Sequence, residues 1–354
     1  MSDAPADREF QALRALSAAL GRNRSRTQAA GGNTSIKRDG VMWIKASGRQ
    51  LADALDQDIM VPVALDALRA ATLRDDPAAD AAAPFVIEAS NPGKLRPSIE
   101  TSVHAIVPHA IVAHIHCVET IALAVRENAR ALVAERLGGL EGIVWSFIPY
   151  RRPGLPLARA ILENAAEDAN VLILGNHGLV VSGDSVVEVE TLTRRVCAAL
   201  AVSPRPAPRA NIAELEARVG NSEYRLPLEP EAHALALDST SLSLASGGSL
   251  YPDHVIFLGP GVAVAPDVVA GASMRRPGGP DASPAMLVLP GVGIVLHRST
   301  NPAADAMALC LADVVARIPA DAKLLRLSAA EEFELTNWEA EKYRQALAAQ
   351  AAAP

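Results

Sequence analysis

Apolar positions along the chain recur in two rhythms. Phe10, Leu13, Leu16 and Leu20 stand at helical spacing and Gly21 ends the run, which predicts an amphipathic helix over residues 5–20. Shorter β-branched runs predict strands. Ser35–Lys37 and Val41–Lys45 form a predicted hairpin joined by Arg38-Asp39-Gly40, and Phe85–Ala89 and Ile143–Phe147 read as single strands. Ala110–Val118 is too apolar and β-branched for a loop and too short for a helix, so it too is predicted to be a strand. Before it, Pro97-Ser-Ile-Glu-Thr-Ser-Val-His predicts a short helix with Ser98 as N-cap and Pro108 as its stop. The apolar run 170–183 predicts two strands around a Gly-Asn-His-Gly turn, and Glu119–Glu135, Leu157–Asp168 and Ser185–Ala201 predict helices. Residues 50–72 read as mixed loop and helix, and Asp75–Pro84, rich in Ala, Asp and Pro, as an exposed connection.

Val202-Ser-Pro-Arg-Pro-Ala-Pro-Arg209 is a linker by composition. It predicts two domains, 1–205 and a smaller α/β region over 210–354. In the second, Asp253–Leu258, Ala285–Leu289 and Gly293–His297 predict strands, Gly271–Pro284 a loop, and Ala303–Ile318 and Ala329–Ala349 helices. Gly291-Val-Gly-Ile lacks the third glycine and the following helix of a dinucleotide-binding fingerprint.

Composition narrows the setting. Half of the 354 residues are hydrophobic but only 3% are aromatic, so the core is built from Ala, Leu, Val and Ile. A net charge of −7 argues against nucleic acid or an anionic membrane as the main partner, so an anionic ligand needs a local pocket. No apolar run reaches membrane-spanning length, and Met1-Ser-Asp-Ala-Pro lacks the features of a signal peptide. Three cysteines, Cys117, Cys197 and Cys310, are widely spaced and odd in number; they argue against a disulfide framework and for a reducing, cytoplasmic setting.

Candidate chemistry centres on residues 97–118. Residues two apart on a strand share a face, so His114 and His116 point the same way, with the carboxylate of Glu100 a short helix upstream. The pair reads equally as two solvent-facing residues at a sheet edge or as metal ligands. His104 and His109 lack a partner at useful spacing and are expected to be surface or packing residues. His177, flanked by glycines, is either an exposed turn residue or a third ligand. Gly31-Gly32-Asn33 and Ser47-Gly48 bare backbone N–H groups and read as plain turns or as anion cradles, with Lys45 on a strand beside them. Three neutral imidazoles with an open fourth position are the donor set of a catalytic zinc.

Taken in order, Gly-Gly-Asn, Pro-Ser-x-Glu, His-x-His and Gly-Asn-His-Gly resemble the class II aldolase/adducin family over about residues 8–205. The family includes sugar-phosphate aldolases and pentulose-phosphate 4-epimerases. Asn-Thr-Ser-Ile-Lys37, Trp43-Ile-Lys-Ala-Ser-Gly48 and the tail Phe333–Tyr343 are similar to its longer branch, whose aldolase region is also found fused to a dehydrogenase. The resemblance implies a three-layer α/β/α fold on a mostly antiparallel sheet, assembled as a homotetramer with sites between subunits. It implies zinc, or another divalent metal, on His114, His116 and His177, and Glu100 as catalytic carboxylate. It also implies Tyr150 as a proton donor lent to a neighbouring subunit, and phosphate held by Gly32, Asn33, Ser47, Gly48 and Ser98 with help from Lys45. Ala30 and Ile99 stand where the sugar-phosphate aldolases carry hydroxyl residues. The implied reaction is cleavage of a ketose 1-phosphate to dihydroxyacetone phosphate and an aldehyde through a zinc-stabilised enediolate. The same chemistry serves decarboxylation of a 3-oxo sugar-acid phosphate or 4-epimerisation. Adducin-like interaction modules keep the fold but lack the metal histidines, whereas all three stand here.

Overall fold

The computed structural model describes residues 8–274 and 283–338. The predicted start of the first helix at 5–7, most of the 271–284 loop, and the helix and tail beyond Trp338 lie outside the described residues. The chain divides into two compact units, Met1–Thr120 with Ala129–Ala201, and Ile121–Asn128 with Val202–Pro354.

Seven short strands of the first unit form one sheet: β1 (Asn33–Arg38), β2 (Val41–Lys45), β3 (Met60–Ala64), β4 (Ile111–Ile115), β5 (Trp145–Ile148), β6 (Val171–Leu174) and β7 (Gly178–Gly183). Their order is β3-β2-β1-β4-β7-β6-β5, and every pairing except β5–β6 is antiparallel. The β1–β2 turn places Asp39 at φ 48° and Gly40 at φ 75°, the two positive values that a two-residue hairpin matching the strand twist needs.

The helices are α1 (Arg8–Arg22), α2 (Leu65–Leu73), α3 (Ala78–Ala81), α4 (Thr101–Ile106), α5 (Val118–Ala124), α6 (Ala129–Leu137), α7 (Leu155–Asn164) and α8 (Val186–Ala199). Alternation along the strands decides which helices cover which face. Met42, Ile44, Val63, Val112, Leu172 and Val180 bury against α2, α3, α4 and α7. On the other face Phe10 of α1 meets Trp43 edge-on at 5.8 Å, and α8 packs against α1, β4 and β7. The result is the three-layer α/β/α arrangement on a mostly antiparallel sheet.

The second unit carries a four-stranded sheet, β8-β11-β10-β9, built from β8 (Tyr224–Arg225), β9 (Ala263–Val264), β10 (Met286–Leu289) and β11 (Gly293–His297). Seven helices belong to this part among the described residues: α9 (Ile212–Val219), α10 (Ala234–Leu237), α11 (Ser239–Ser246), α12 (Pro252–Leu258), α13 (Val268–Ala272), α14 (Pro302–Val315) and α15 (Ala329–Asn337).

Several sequence expectations are corrected. Asp253–Leu258 is helix rather than strand. All seven residues of α12 are buried, so no polar face marks the helical period, and Pro252 at its first position is the residue type that opens helices. The helix after Pro97 begins only at Thr101 with Glu100 as N-cap; Ser98 caps the turn that leads into it, its Oγ accepting from Glu100 N–H at 3.3 Å and its carbonyl from Thr101 N–H at 3.1 Å. The strand predicted over Ala110–Val118 is confined to Ile111–Ile115, and Val118 already opens a helix. Residues 60–64 are a strand that the 50–72 reading missed, and Asp75–Pro84 holds a short helix whose Ala79 is buried. Phe85–Ala89 forms 3₁₀ turns with one bridge, Val63 to Val86. The predicted Glu119–Glu135 helix is two helices, interrupted where Arg126 bridges Leu324 and Val125 accepts from Leu325 N at 2.8 Å.

Candidate metal centre

The β1–β4–β7 registers and one turn bring the histidines together. His114 lies near the end of β4, on the Val112 side of the sheet, the side covered by α4. His116 lies just past that end, and its same-face relation to His114 holds. His177 sits on the β6–β7 turn, brought alongside because β7 pairs with β4 in the register Ile115 to Leu179. That pairing is so close at the turn that a Cβ on Gly178 would lie 2.5 Å from the Ile115 carbonyl oxygen. Glu100, the N-cap of α4, completes the group from above the sheet.

The three ring centroids are 4.9, 4.9 and 5.1 Å apart. His114 Nε2 is 3.1 Å from His116 Nε2 and 3.2 Å from Glu100 Oε2, and His177 Nε2 is 3.6 Å from Glu100 Oε1. One ligand atom from each of the four residues lies within 4.8 Å of every other. Relative exposures are 1% for His114, 5% for His116 and His177, and 4% for Glu100, so bulk water does not solvate this concentration of lone pairs.

The donor chemistry fits a divalent ion. Leu179 O lies 3.1 Å from His114 Nδ1 and accepts its N–H, which leaves the Nε2 lone pair facing the cluster. Two nitrogens bound tetrahedrally at about 2.0–2.1 Å stand roughly 3.3 Å apart, close to the His114–His116 spacing. Glu100 Oε1 is buried without a hydrogen bond, as a carboxylate oxygen awaiting a cation or proton would be. Burial, the largest single effect, pushes the Glu100 carboxyl up. The facing His114, His177 and His116 imidazoles when they carry a proton, together with the Asn33 amide, outweigh it and hold the group at about 2.

Three segments carrying the expected anion contacts are tied together beside this group. Asn33, paired with His114 across β1 and β4, donates from Nδ2 to Glu100 Oε2 at 2.9 Å and to Ser98 Oγ at 3.1 Å. Gly32, at φ 68°, leaves no room for a side chain: a Cβ there would stand 2.9 Å from the His114 carbonyl oxygen. Ser98 N donates to Lys45 O at 3.1 Å and Ser47 N to Arg96 O at 2.9 Å, while Gly48 turns at φ 74°. The buried Lys45 ammonium donates to Ala30 O at 2.6 Å and Arg49 O at 2.8 Å, so it joins the Gly-Gly-Asn turn to the Ser-Gly turn. Tyr150 lies on the loop after β5; its main-chain N is 3.1 Å from where a Cβ on Gly175, in the histidine turn, would stand.

Sequence reasoning missed the supports. Gln28 donates to the His116 carbonyl at 3.3 Å, and Ser25 O accepts from Val118 N at 3.0 Å, so the segment after α1 grips the chain at His116. No spacing rule marks such backbone contacts. His104, expected at the surface or in packing, is a packing residue: it is fully buried, with Nδ1 2.7 Å from Ser35 Oγ. His109 Nδ1 pairs with Ser182 Oγ at 2.9 Å.

This fold and a buried histidine–carboxylate group define a class, and the comparisons agree with it. Residues 11–200 match the Class II Aldolase and Adducin N-terminal domain, and the chain belongs to that family. A relative from Bacillus subtilis (strain 168), the uncharacterized oxidoreductase YuxG, is 31% identical over 181 residues. That match takes in 47% of this chain and 25% of the relative, so the chain spans only a quarter of its length. Among solved structures, the N-terminal class II aldolase domain of a conserved protein from Thermoplasma acidophilum is 22% identical, covering 56% of this chain and 95% of that one with TM-score 0.47. L-fuculose-1-phosphate aldolase from Thermus thermophilus is 18% identical, covering 55% of this chain and 92% of its own, with TM-score 0.36. No helix among the described residues is long and apolar enough to cross a membrane.

Proposed function

We propose that the chain is a metal-dependent lyase of aldolase type, acting on a small hydroxy-carbonyl compound. The favoured substrate is a ketose 1-phosphate, cleaved to dihydroxyacetone phosphate and an aldehyde. The observation that carries this reading is the convergence of three buried imidazoles and the Glu100 carboxylate within 4.8 Å.

Zinc is the proposed ion, held by His114, His116 and His177. When bound, it supplies Lewis-acid polarisation of the substrate carbonyl. Asn33 Nδ2 donates to Glu100 Oε2, which leaves Oε1 to take or return a proton at the carbon of the breaking bond. Tyr150 is assigned the proton at the aldehyde oxygen, in a neighbouring subunit's site. Gly32, Asn33, Ser47, Gly48 and Ser98 are assigned the phosphate, with Lys45 fixing the spacing of the two turns and lending positive charge. Residues 1–205 are the proposed catalytic domain of a cytoplasmic homotetramer, and residues 210–354 a separate α/β region.

The test measures bound metal by mass spectrometry and screens phosphorylated and free ketoses for cleavage, with and without chelator. About one divalent ion per chain and chelator-sensitive aldehyde release are expected. His114→Ala and His177→Ala should lose the ion while keeping the circular dichroism of the parent. A folded protein that takes up no ion refutes the reading, and release of CO₂ or an isomer in place of aldehyde reassigns the reaction.

A further inference from the structure

Cys117 and Cys197, 80 positions apart, bring their sulfurs to 3.8 Å, and both are buried. Cys117 directly follows His116, and Cys197 lies in α8. Two charged side chains act on the first sulfur. Arg26 Nη1 stands 3.1 Å from Cys117 Sγ and 3.0 Å from Glu119 Oε2, and the Cys117 thiol donates to Glu119 Oε2 at 3.3 Å. The Arg26–Glu119 ion pair thus holds the Cys117 side chain in place beside Cys197. Cys310 lies in the second unit, where burial pushes its thiol up to about 12.

We propose that Cys117 and Cys197 are a dithiol–disulfide site, oxidised reversibly by a hydroperoxide. The sulfurs need to close by roughly 1.8 Å to reach a disulfide bond length of about 2.05 Å. The electrons balance over two steps. Cys117 sulfur forms a bond to one peroxide oxygen as the O–O bond breaks; the departing oxygen takes the Cys117 proton and leaves as water or an alcohol. Cys197 sulfur then forms the S–S bond, breaking S–O and releasing hydroxide, which takes the Cys197 proton as a second water. Two thiols lose two electrons and the peroxide gains them. Because neither sulfur is exposed, local opening sets the rate, and oxidation is slower than at an exposed thiol. The crosslink ties the chain at His116 to α8, yet its formation is independent of whether a metal binds there.

The full-length reduced protein is incubated with hydrogen peroxide, denatured, alkylated and digested for peptide mass spectrometry. The expected product is a Cys117–Cys197 crosslinked peptide, lost on dithiothreitol treatment, with Cys310 recovered alkylated. Cys310→Ser should keep the crosslink; Cys197→Ser should abolish it and leave Cys117 as a sulfenic acid trapped by dimedone. Both cysteines recovered as free thiols, irreversible oxidation without a crosslink, or a crosslink to Cys310 each overturn the proposal.

Discussion

A single amide governs the geometry of the candidate site at the scale of residues. Asn33 Nδ2 holds both Ser98 Oγ and Glu100 Oε2, so the carboxylate meets the imidazoles in one orientation. Nearby, His104 is a buried imidazole whose burial, with the neighbouring His114, lowers its affinity for protons to about 3, against Glu100, which raises it. The folded protein therefore binds fewer protons than the unfolded chain between about pH 3 and the ordinary histidine value near 6.5. Stability from this group is complete above that ordinary value and falls as pH drops through the window, by at most about 1.4 kcal/mol per pH unit. Urea unfolding at pH 4.5–7.5 is expected to give a shallower pH slope in His104→Gln than in the parent. Equal slopes would remove His104 from the account.

Elements place the clustered histidines, and the decisive element is the β4–β7 pair. His114 and His116 follow from the period of one strand, but His177 arrives only because β7 lies on β4 in one register. Gly178 keeps that register by letting the turn touch Ile115 O. Gly178→Ala is expected to lower stability by about 1–3 kcal/mol, since its Cβ would meet backbone rather than a flexible side chain. It should weaken metal retention in parallel, because it displaces His177 relative to His114. Denaturant unfolding and metal content measured on one preparation check this, and an unchanged midpoint would show that the strands separate freely. The histidine motif was legible because strand periodicity is local. The α12 helix was not, because a fully buried run carries no polar face to set a period.

The whole molecule contains two units, and the Pro-rich stretch after Val202 is more than a spacer. Arg205 N donates to Ala316 O at 2.8 Å, and its guanidinium donates to Asp238 at 3.0 Å, Ser241 Oγ at 2.9 Å, Val315 O at 2.8 Å and Ile318 O. Composition read this segment as a linker, which captures its lack of regular structure but not the anchoring by one arginine. Arg205→Ala is expected to cost the second unit about 1–3 kcal/mol, the loss of charge-assisted hydrogen bonds at a half-buried site. Hydrogen exchange should rise at 202–209 and at the end of α14, while the first unit keeps its protection. Unchanged exchange at both segments would mean the anchoring contributes nothing.

The sequence by itself determined the parts whose cause is local. The hairpin at Asp39-Gly40, the apolar rhythm of α1, the paired strands around Gly-Asn-His-Gly and the shared face of His114 and His116 all depend on neighbours a few positions away. The ordered motifs implied His177 and Glu100 as companions of those two histidines only through the family resemblance; tertiary structure supplied the contact itself, and it alone decided that Asn33 orients the acid and that Cys117 meets Cys197. Such meetings depend on strand register and helix packing across the fold, and the energy that selects them comes from buried surfaces that no short stretch of sequence contains.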